Sequence, residues 1–124
     1  MYRVDIENRE GYTFNATCDS YEFTIGAKGI TPPATLLASL GSCIGVYLRK
    51  YCESAKLDLG DFCLKVEADF SKDSPLRFKE IYVTLDLKGQ QLEERRKKAL
   101  LEFVKNCPVH NTLKNDPLVD IKII

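Results

Sequence analysis

Residues 31–56 read TPPATLLASLGSCIGVYLRKYCESAK, and the rest of the chain is organised around them. The run opens as a helix should. Pro32 and Pro33 suit a first turn, where the N–H groups they lack would have no intrahelical partner, and Thr31 just before them is a good N-cap. Leu36, Leu40, Cys43, Tyr47 and Tyr51 then recur at helical spacing, with Leu37, Ile44 and Leu48 beside them, which turns Cys43 toward a core. A second stripe, Ala34, Ala38, Gly41, Ser42 and Gly45, is small. Glycine inside a helix costs about 1 kcal/mol relative to alanine. The expected compensation is close approach by another helix, because small side chains let axes come nearer than the usual ~8–10 Å. Only one other long helix is expected in the chain, so a symmetric partner subunit is a candidate for that contact.

Upstream, Tyr2, Val4 and Ile6 alternate with Arg3, Asp5 and Glu7 over residues 2–8, the signature of a half-buried strand. A turn at Asn8 to Gly11 leads into Tyr12, Phe14 and Ala16 alternating with Thr13, Asn15 and Thr17, so the two runs read as an antiparallel hairpin. Asp19 and Ser20 make the next turn. Tyr21, Phe23 and Ile25 form a third short strand before the loop into Thr31. Downstream, Phe62, Leu64, Val66, Ala68 and Phe70 alternate with Cys63, Lys65, Glu67 and Asp69. SKDSP is turn chemistry, and Phe78 to Lys88 alternates again, with Ile81, Val83, Leu85 and Leu87 on one side, so these two strands read as a meander.

From Gln91, QLEERRKKALLEFVKN is helical, with Leu92, Ala99, Leu100, Phe103, Val104 and Cys107 along one side. Its glutamates lead and its basic residues follow, as the helix dipole favours. Pro108 interrupts it, and Cys107 to Leu113 reads as a new short turn with Cys107 as cap and Pro108 at its first position. Leu118 to Ile124 reads as a final strand. The resulting order, β-β-β-α-β-β-α-β around a long central helix, has no regular βαβ alternation. The class is therefore α+β with largely antiparallel pairing, in a single domain over residues 1–124.

A chain of 124 residues buries one core without staples. Lys plus Arg and Asp plus Glu are 18 each, which leaves no net drive toward nucleic acid or an anionic membrane. The start, MYRVDIENRE, lacks an apolar core of the kind a leader carries, and no stretch approaches about 18 uncharged apolar residues. The expectation is a cytoplasmic protein with neither a nucleic-acid nor a membrane partner. Five cysteines, odd in number and never in a C-x-x-C pair, argue against a disulfide framework. Cys18, Cys52 and Cys63 read as packing residues. Cys107, at a helix break, is expected to have its pKa lowered from the usual ~8.5 by free N–H groups and the dipole of the next turn. Cys43, mid-helix, gets no such help and needs a cation to ionise readily.

GITPPATLLASLGSCIGVYL and NCPVHNTL resemble the first and second cysteine motifs of the OsmC/Ohr family, the osmotically inducible and organic-hydroperoxide-resistance proteins. The similarity runs over the whole chain, and element order, length and the gap between the two cysteines agree with it. The resemblance implies an intertwined homodimer in which the strands of both subunits wrap around paired central helices. It also implies a thiol-dependent peroxidase acting on organic hydroperoxides in stress defence. Cys43 matches the peroxidatic cysteine, which attacks a peroxide oxygen and becomes a sulfenic acid. Cys107 matches the resolving cysteine, which condenses with it to a disulfide that an external dithiol reduces, with no cofactor. The chain departs from the best-studied peroxidase branch at Pro33, followed by Ala34, where that branch has a glutamate. That carboxylate holds an arginine against the thiolate, and the nearest match here is Arg9, in NREGYTF. Without it a slower enzyme is implied, and the chain looks like the shorter OsmC-like branch.

Two other readings compete. One is a noncatalytic redox-sensing or ligand-binding relative that keeps the fold and both cysteines. The other is a metal site built on Cys107 and His110 as a C-x-x-H pair with Cys43 as a third ligand, although structural zinc sites use about four ligands. His110, the only histidine, reads as a side chain on a surface turn. Tyr47, one turn from Cys43, is placed to line an apolar pocket, which would favour alkyl peroxides over hydrogen peroxide through burial at about 25 cal/mol per Å².

Overall fold

Thr31 caps the central helix in the way its sequence predicts: its Oγ1 accepts the Ala34 N–H at 3.3 Å, and its carbonyl accepts the Thr35 N–H at 2.8 Å. The structure is a computed structural model that describes residues 1–124. Its contacts group the chain into two units, Met1–Ala38 and Ser39–Ile124.

The first unit is a three-stranded antiparallel sheet of β1 (Asp5–Glu10), β2 (Thr13–Cys18) and β3 (Tyr21–Gly26), in that spatial order. β2 is central, and Thr13 and Ala16 on it are buried. β1 begins three residues later than its alternation predicts and is exposed throughout rather than half-buried, since it is an edge strand paired with β2 alone. Its register skips between Asn8 and Glu10, which leaves Arg9 in a bulge. Gly26 has φ +111°, and a Cβ there would collide with the Tyr12 carbonyl, so only glycine fits.

The long helix α1 (Pro32–Ala55) begins in the first unit and runs on into the second, where it buries Leu40, Ile44, Leu48 and Cys52, one line at four-residue spacing. Cys43, Tyr47 and Tyr51 pack against that core from its flank and are half-buried, so the deepest stripe lies one residue around the helix from the one the spacing predicts. The helix ends in a Schellman motif. Lys56 takes φ +55°, the Leu57 N–H donates to the Cys52 carbonyl at 2.8 Å, and the Lys56 N–H to that of Glu53 at 3.2 Å. Arg49 then clamps the connector, donating to the Leu59 and Gly60 carbonyls at 2.7 and 3.0 Å with its guanidinium over the Phe62 ring.

β4 (Cys63–Glu67) and β5 (Tyr82–Asp86) pair antiparallel, with Leu64 opposite Leu85 and Val66 opposite Val83. Both are shorter than their alternation predicts, although a bridge between Phe70 and Phe78, whose rings stack at 4.9 Å, continues the pairing. α2 (Glu94–Val104) adds Leu100 and Val104 to the core, and α3 (Pro108–Lys114) follows.

Two expectations are corrected here. Within the chain, the element that approaches α1 at the two glycines of the small stripe is a strand: a Cβ on Gly41 would lie 2.8 Å from Val66 Cγ2, and one on Gly45 would lie 3.4 Å from Leu64 Cδ1. At Gly41 and Gly45, β4 therefore takes the place expected for a second helix. Leu118 to Ile124 forms no strand and is exposed, so the order ends β-β-α-α rather than β-β-α-β. Alternation reports which face a strand would bury, but a strand also needs a neighbour to receive its N–H and C=O groups, and none pairs with this segment.

Candidate functional site

Cys107 sits where α2 gives way to α3. After Val104 the chain tightens, with the Asn106 N–H donating to Phe103 and the Cys107 N–H donating to Val104. It then restarts as α3, with Cys107 as N-cap and Pro108 at the first position, as the motif predicts. Proline has no N–H, so the first donors past the cap are Val109 and His110. Both direct their N–H groups at Cys107 Sγ, the His110 nitrogen at 3.4 Å. Val109 has no polar side chain to single it out in the sequence, but its place just after Pro108 makes it the first available donor. The Cys107 side chain is fully buried.

Cys43 approaches the same sulfur from the flank of α1, close enough for its thiol to raise the Cys107 pKa. Residues far apart in the chain are thus brought into contact: one is half-buried, the other sealed in the core. The Cys107 thiol is held above its ordinary pKa, against the expectation of a lowered one. Burial is the largest cause, and the Cys43 hydrogen bond adds to it. The two backbone N–H groups pull the other way and lose. A helix N-terminus lowers a thiol's pKa and apolar burial raises it, and at Cys107 burial is the larger effect.

Arg9, in the β1 bulge, has its guanidinium 3.3 Å from Glu7 Oε1, an exposed pair. The first turn of α1 holds Pro33 and Ala34 and no acidic residue. Cys52 is buried, and its thiol is pushed up by that burial, partly offset by the charge of Arg49. Cys63 faces outward on β4, and Cys18, at the end of β2, is half-buried. His110 Nδ1 lies 3.1 Å from the Lys105 carbonyl. No three His, Cys, Asp or Glu side chains cluster to hold a metal ion, so Cys107 and His110 do not extend to the ligand set that the metal reading needs. The Tyr47 ring packs 6.0 Å from Phe103 of α2, with Lys50 Nζ over it at 4.6 Å. It belongs to an aromatic cluster with Tyr51 on that flank of α1.

Neighbouring thiols have a chemistry open to them that a lone thiol lacks, passage between dithiol and disulfide, a two-electron change.

Residues 25–122 match the OsmC-like protein family model. Among solved structures, the chain is similar to an OsmC-like protein from Mycoplasma pneumoniae, with TM-score 0.81 and 22% identity, covering 94% of this chain and 89% of that one. A hypothetical protein from Aquifex aeolicus VF5 gives TM-score 0.80, 22% identity and the same coverages. An organic hydroperoxide resistance protein OsmC from Legionella pneumophila gives TM-score 0.67 at 15% identity, over 94% and 92% of the two chains. No curated protein sequence matches the chain. No helix is long and apolar enough to cross a membrane.

Proposed function

Since the chain belongs to the OsmC-like protein family, we propose that it is a thiol-dependent peroxidase that reduces organic hydroperoxides through Cys43 and Cys107. The observation that carries this reading is the contact between the two sulfurs. The name of the Legionella relative, an organic hydroperoxide resistance protein, supports the substrate class.

The order of events follows from the difference between the two environments. Burial and the Cys43 hydrogen bond keep Cys107 as a thiol, the form in which a resolving cysteine waits. Half-buried Cys43 is the accessible member of the pair. Its thiolate attacks the terminal oxygen of ROOH, the O–O bond breaks, and ROH leaves after taking up a proton, so that Cys43 becomes a sulfenic acid. Oxidation removes the Cys43 charge that opposes ionisation of Cys107, while the Val109 and His110 N–H groups remain to stabilise the new thiolate. Cys107 then displaces hydroxide from the sulfenic sulfur. The S–S bond forms, water leaves, and an external dithiol returns both thiols by exchange.

We also propose that the chain works as a homodimer, reading the large apolar side chains left exposed on the first unit, among them Ile6, Tyr21 and Phe23, as surface that a second copy covers. Sedimentation should give twice the chain mass.

With cumene hydroperoxide and no reductant, two thiols per chain should be lost and mass spectrometry should find Cys43 bridged to Cys107. With a dithiol present, turnover should be sustained in the unaltered protein and absent in Cys43→Ser. The lack of a carboxylate in the first turn of α1 favours a second reading, a redox-responsive protein with little turnover. Bridge formation without sustained peroxide consumption would decide for that one.

A further inference from the structure

The groove between α1, β5, α2 and α3 contains neither thiol, yet it has the construction of a ligand site. Its volume is about 570 Å³, within the range of roughly 300–1,000 Å³ in which small-molecule sites fall. Leu40 and Ile44 of α1, Val83 and Leu85 of β5, and Leu101 and Val104 of α2 make an apolar floor. Three lysines, Lys79, Lys105 and Lys114, stand at the wall, and no carboxylate does. In a chain with acidic and basic residues in equal number, this local excess of one sign marks a preference.

Lysine suits such a rim because its aliphatic stem can lie along apolar surface while the ammonium stays in water. Lys105 and Lys79 have carboxylate neighbours outside the groove, Glu102 at 3.1 Å and Asp73 at 3.9 Å. These pairs are more than half exposed, and such pairs exchange partners at little cost. Lys114, in the last turn of α3, forms no ion pair. We propose that this groove binds a free straight-chain carboxylate, its acyl tail on the Leu40–Val83–Leu101 floor and its carboxylate among the three ammonium groups. An uncharged tail would leave the lysines without a role, and a cationic one would be repelled by them.

Calorimetric titration of the full chain with dodecanoate tests this directly. The expected result is one saturable site per chain, weakened about tenfold by Lys114→Glu and retained by Lys114→Arg, since reversing a charge at a partly exposed ion pair costs on the order of a factor of ten. Dodecanol should bind more weakly, and dodecyltrimethylammonium not at all. These ligand swaps use the unaltered protein, so they hold even if a variant folds poorly. Cys43→Ser should leave binding unchanged, which separates this proposal from the peroxidase reading. Absence of a saturable site, indifference to Lys114→Glu, equal binding of the cationic amphiphile, or loss of the site as the chain self-associates would each overturn it. The last outcome would mean that a second copy covers the groove.

Discussion

Replacing Gly41 and Gly45 by alanine, one at a time, should shift stability in opposite directions. Both lie inside α1, where alanine gains about 1 kcal/mol over glycine. At Gly45 the new methyl would meet Leu64 Cδ1 at 3.4 Å and Phe62 Cε2 at 3.8 Å, contacts with the ends of flexible or planar side chains. The propensity gain survives there. At Gly41 the methyl would lie 2.8 Å from Val66 Cγ2, well inside the roughly 3.5–4.0 Å optimum for carbon pairs. Val66 cannot swing aside cheaply, because it is β-branched and its backbone is pinned opposite Val83 in mid-strand. Overpacking of this kind costs roughly 1–3 kcal/mol. Subtracting the propensity gain leaves Gly41→Ala destabilised by about 1 kcal/mol, against about 1 kcal/mol of stabilisation for Gly45→Ala. Urea unfolding followed by circular dichroism at one fixed protein concentration should show midpoints on either side of the parent. Adding Val66→Ala to Gly41→Ala should recover part of the loss, a coupling of about 1 kcal/mol in the double-mutant cycle. Equal stabilisation by both alanines, or no coupling to Val66, would refute the claim that β4 is what the small stripe receives.

Thr31→Ala removes the N-cap acceptor of α1 and should cost about 1 kcal/mol in the same urea assay. Lys56→Gly relieves a left-handed backbone at φ +55° and should stabilise by up to about 1 kcal/mol, the strain of a side chain there less the entropy of glycine. Cys52 and Cys107 are both held above the ordinary thiol pKa, chiefly by burial. The unfolded chain therefore releases those protons first: the stability is fully present below the unfolded thiol value of about 8.5 and is lost as pH rises toward the folded values. A urea midpoint that climbs from about pH 8 to about pH 10 would contradict that sign. Cys43→Ser removes a charge and a hydrogen bond that both raise the Cys107 pKa. The pH midpoint for iodoacetamide alkylation of Cys107, read by mass spectrometry, should fall in that variant, and an unchanged midpoint would show that the two sulfurs do not interact.

What the sequence discloses about this fold is mostly what local chemistry decides. The Thr31 cap, the prolines behind it, and the restart of the helix at Cys107 and Pro108 each depend on a few adjacent residues, and each forms as predicted. Alternation likewise finds β2 and β3 and the centres of β4 and β5. The failures share a different cause. Leu118 to Ile124 alternates well enough for a strand, yet pairing depends on a neighbour that the segment cannot specify by itself. Gly41 and Gly45 announce that something comes close, but their smallness is the same whether a helix or a strand fills the space. The three lysines of the groove come from β5's approach, the end of α2 and the end of α3. On each element they read as ordinary solvated charge.

The same division explains the thiol pair. That Cys107 would be offered N–H groups followed from Pro108, a local fact. That these groups would fail to lower its pKa depended on how completely α1 and α2 close over the sulfur, which is a property of packing. The consequence for chemistry is an asymmetric pair. A resolving thiol with a low pKa would compete with Cys43 for peroxide and waste oxidising equivalents as over-oxidised sulfur. One that is buried and protonated reacts only with an electrophile formed beside it, which is what a neighbouring sulfenic acid provides. In the proposed peroxidase cycle, the burial that defeated the local prediction is the feature that would let two similar thiols take different parts.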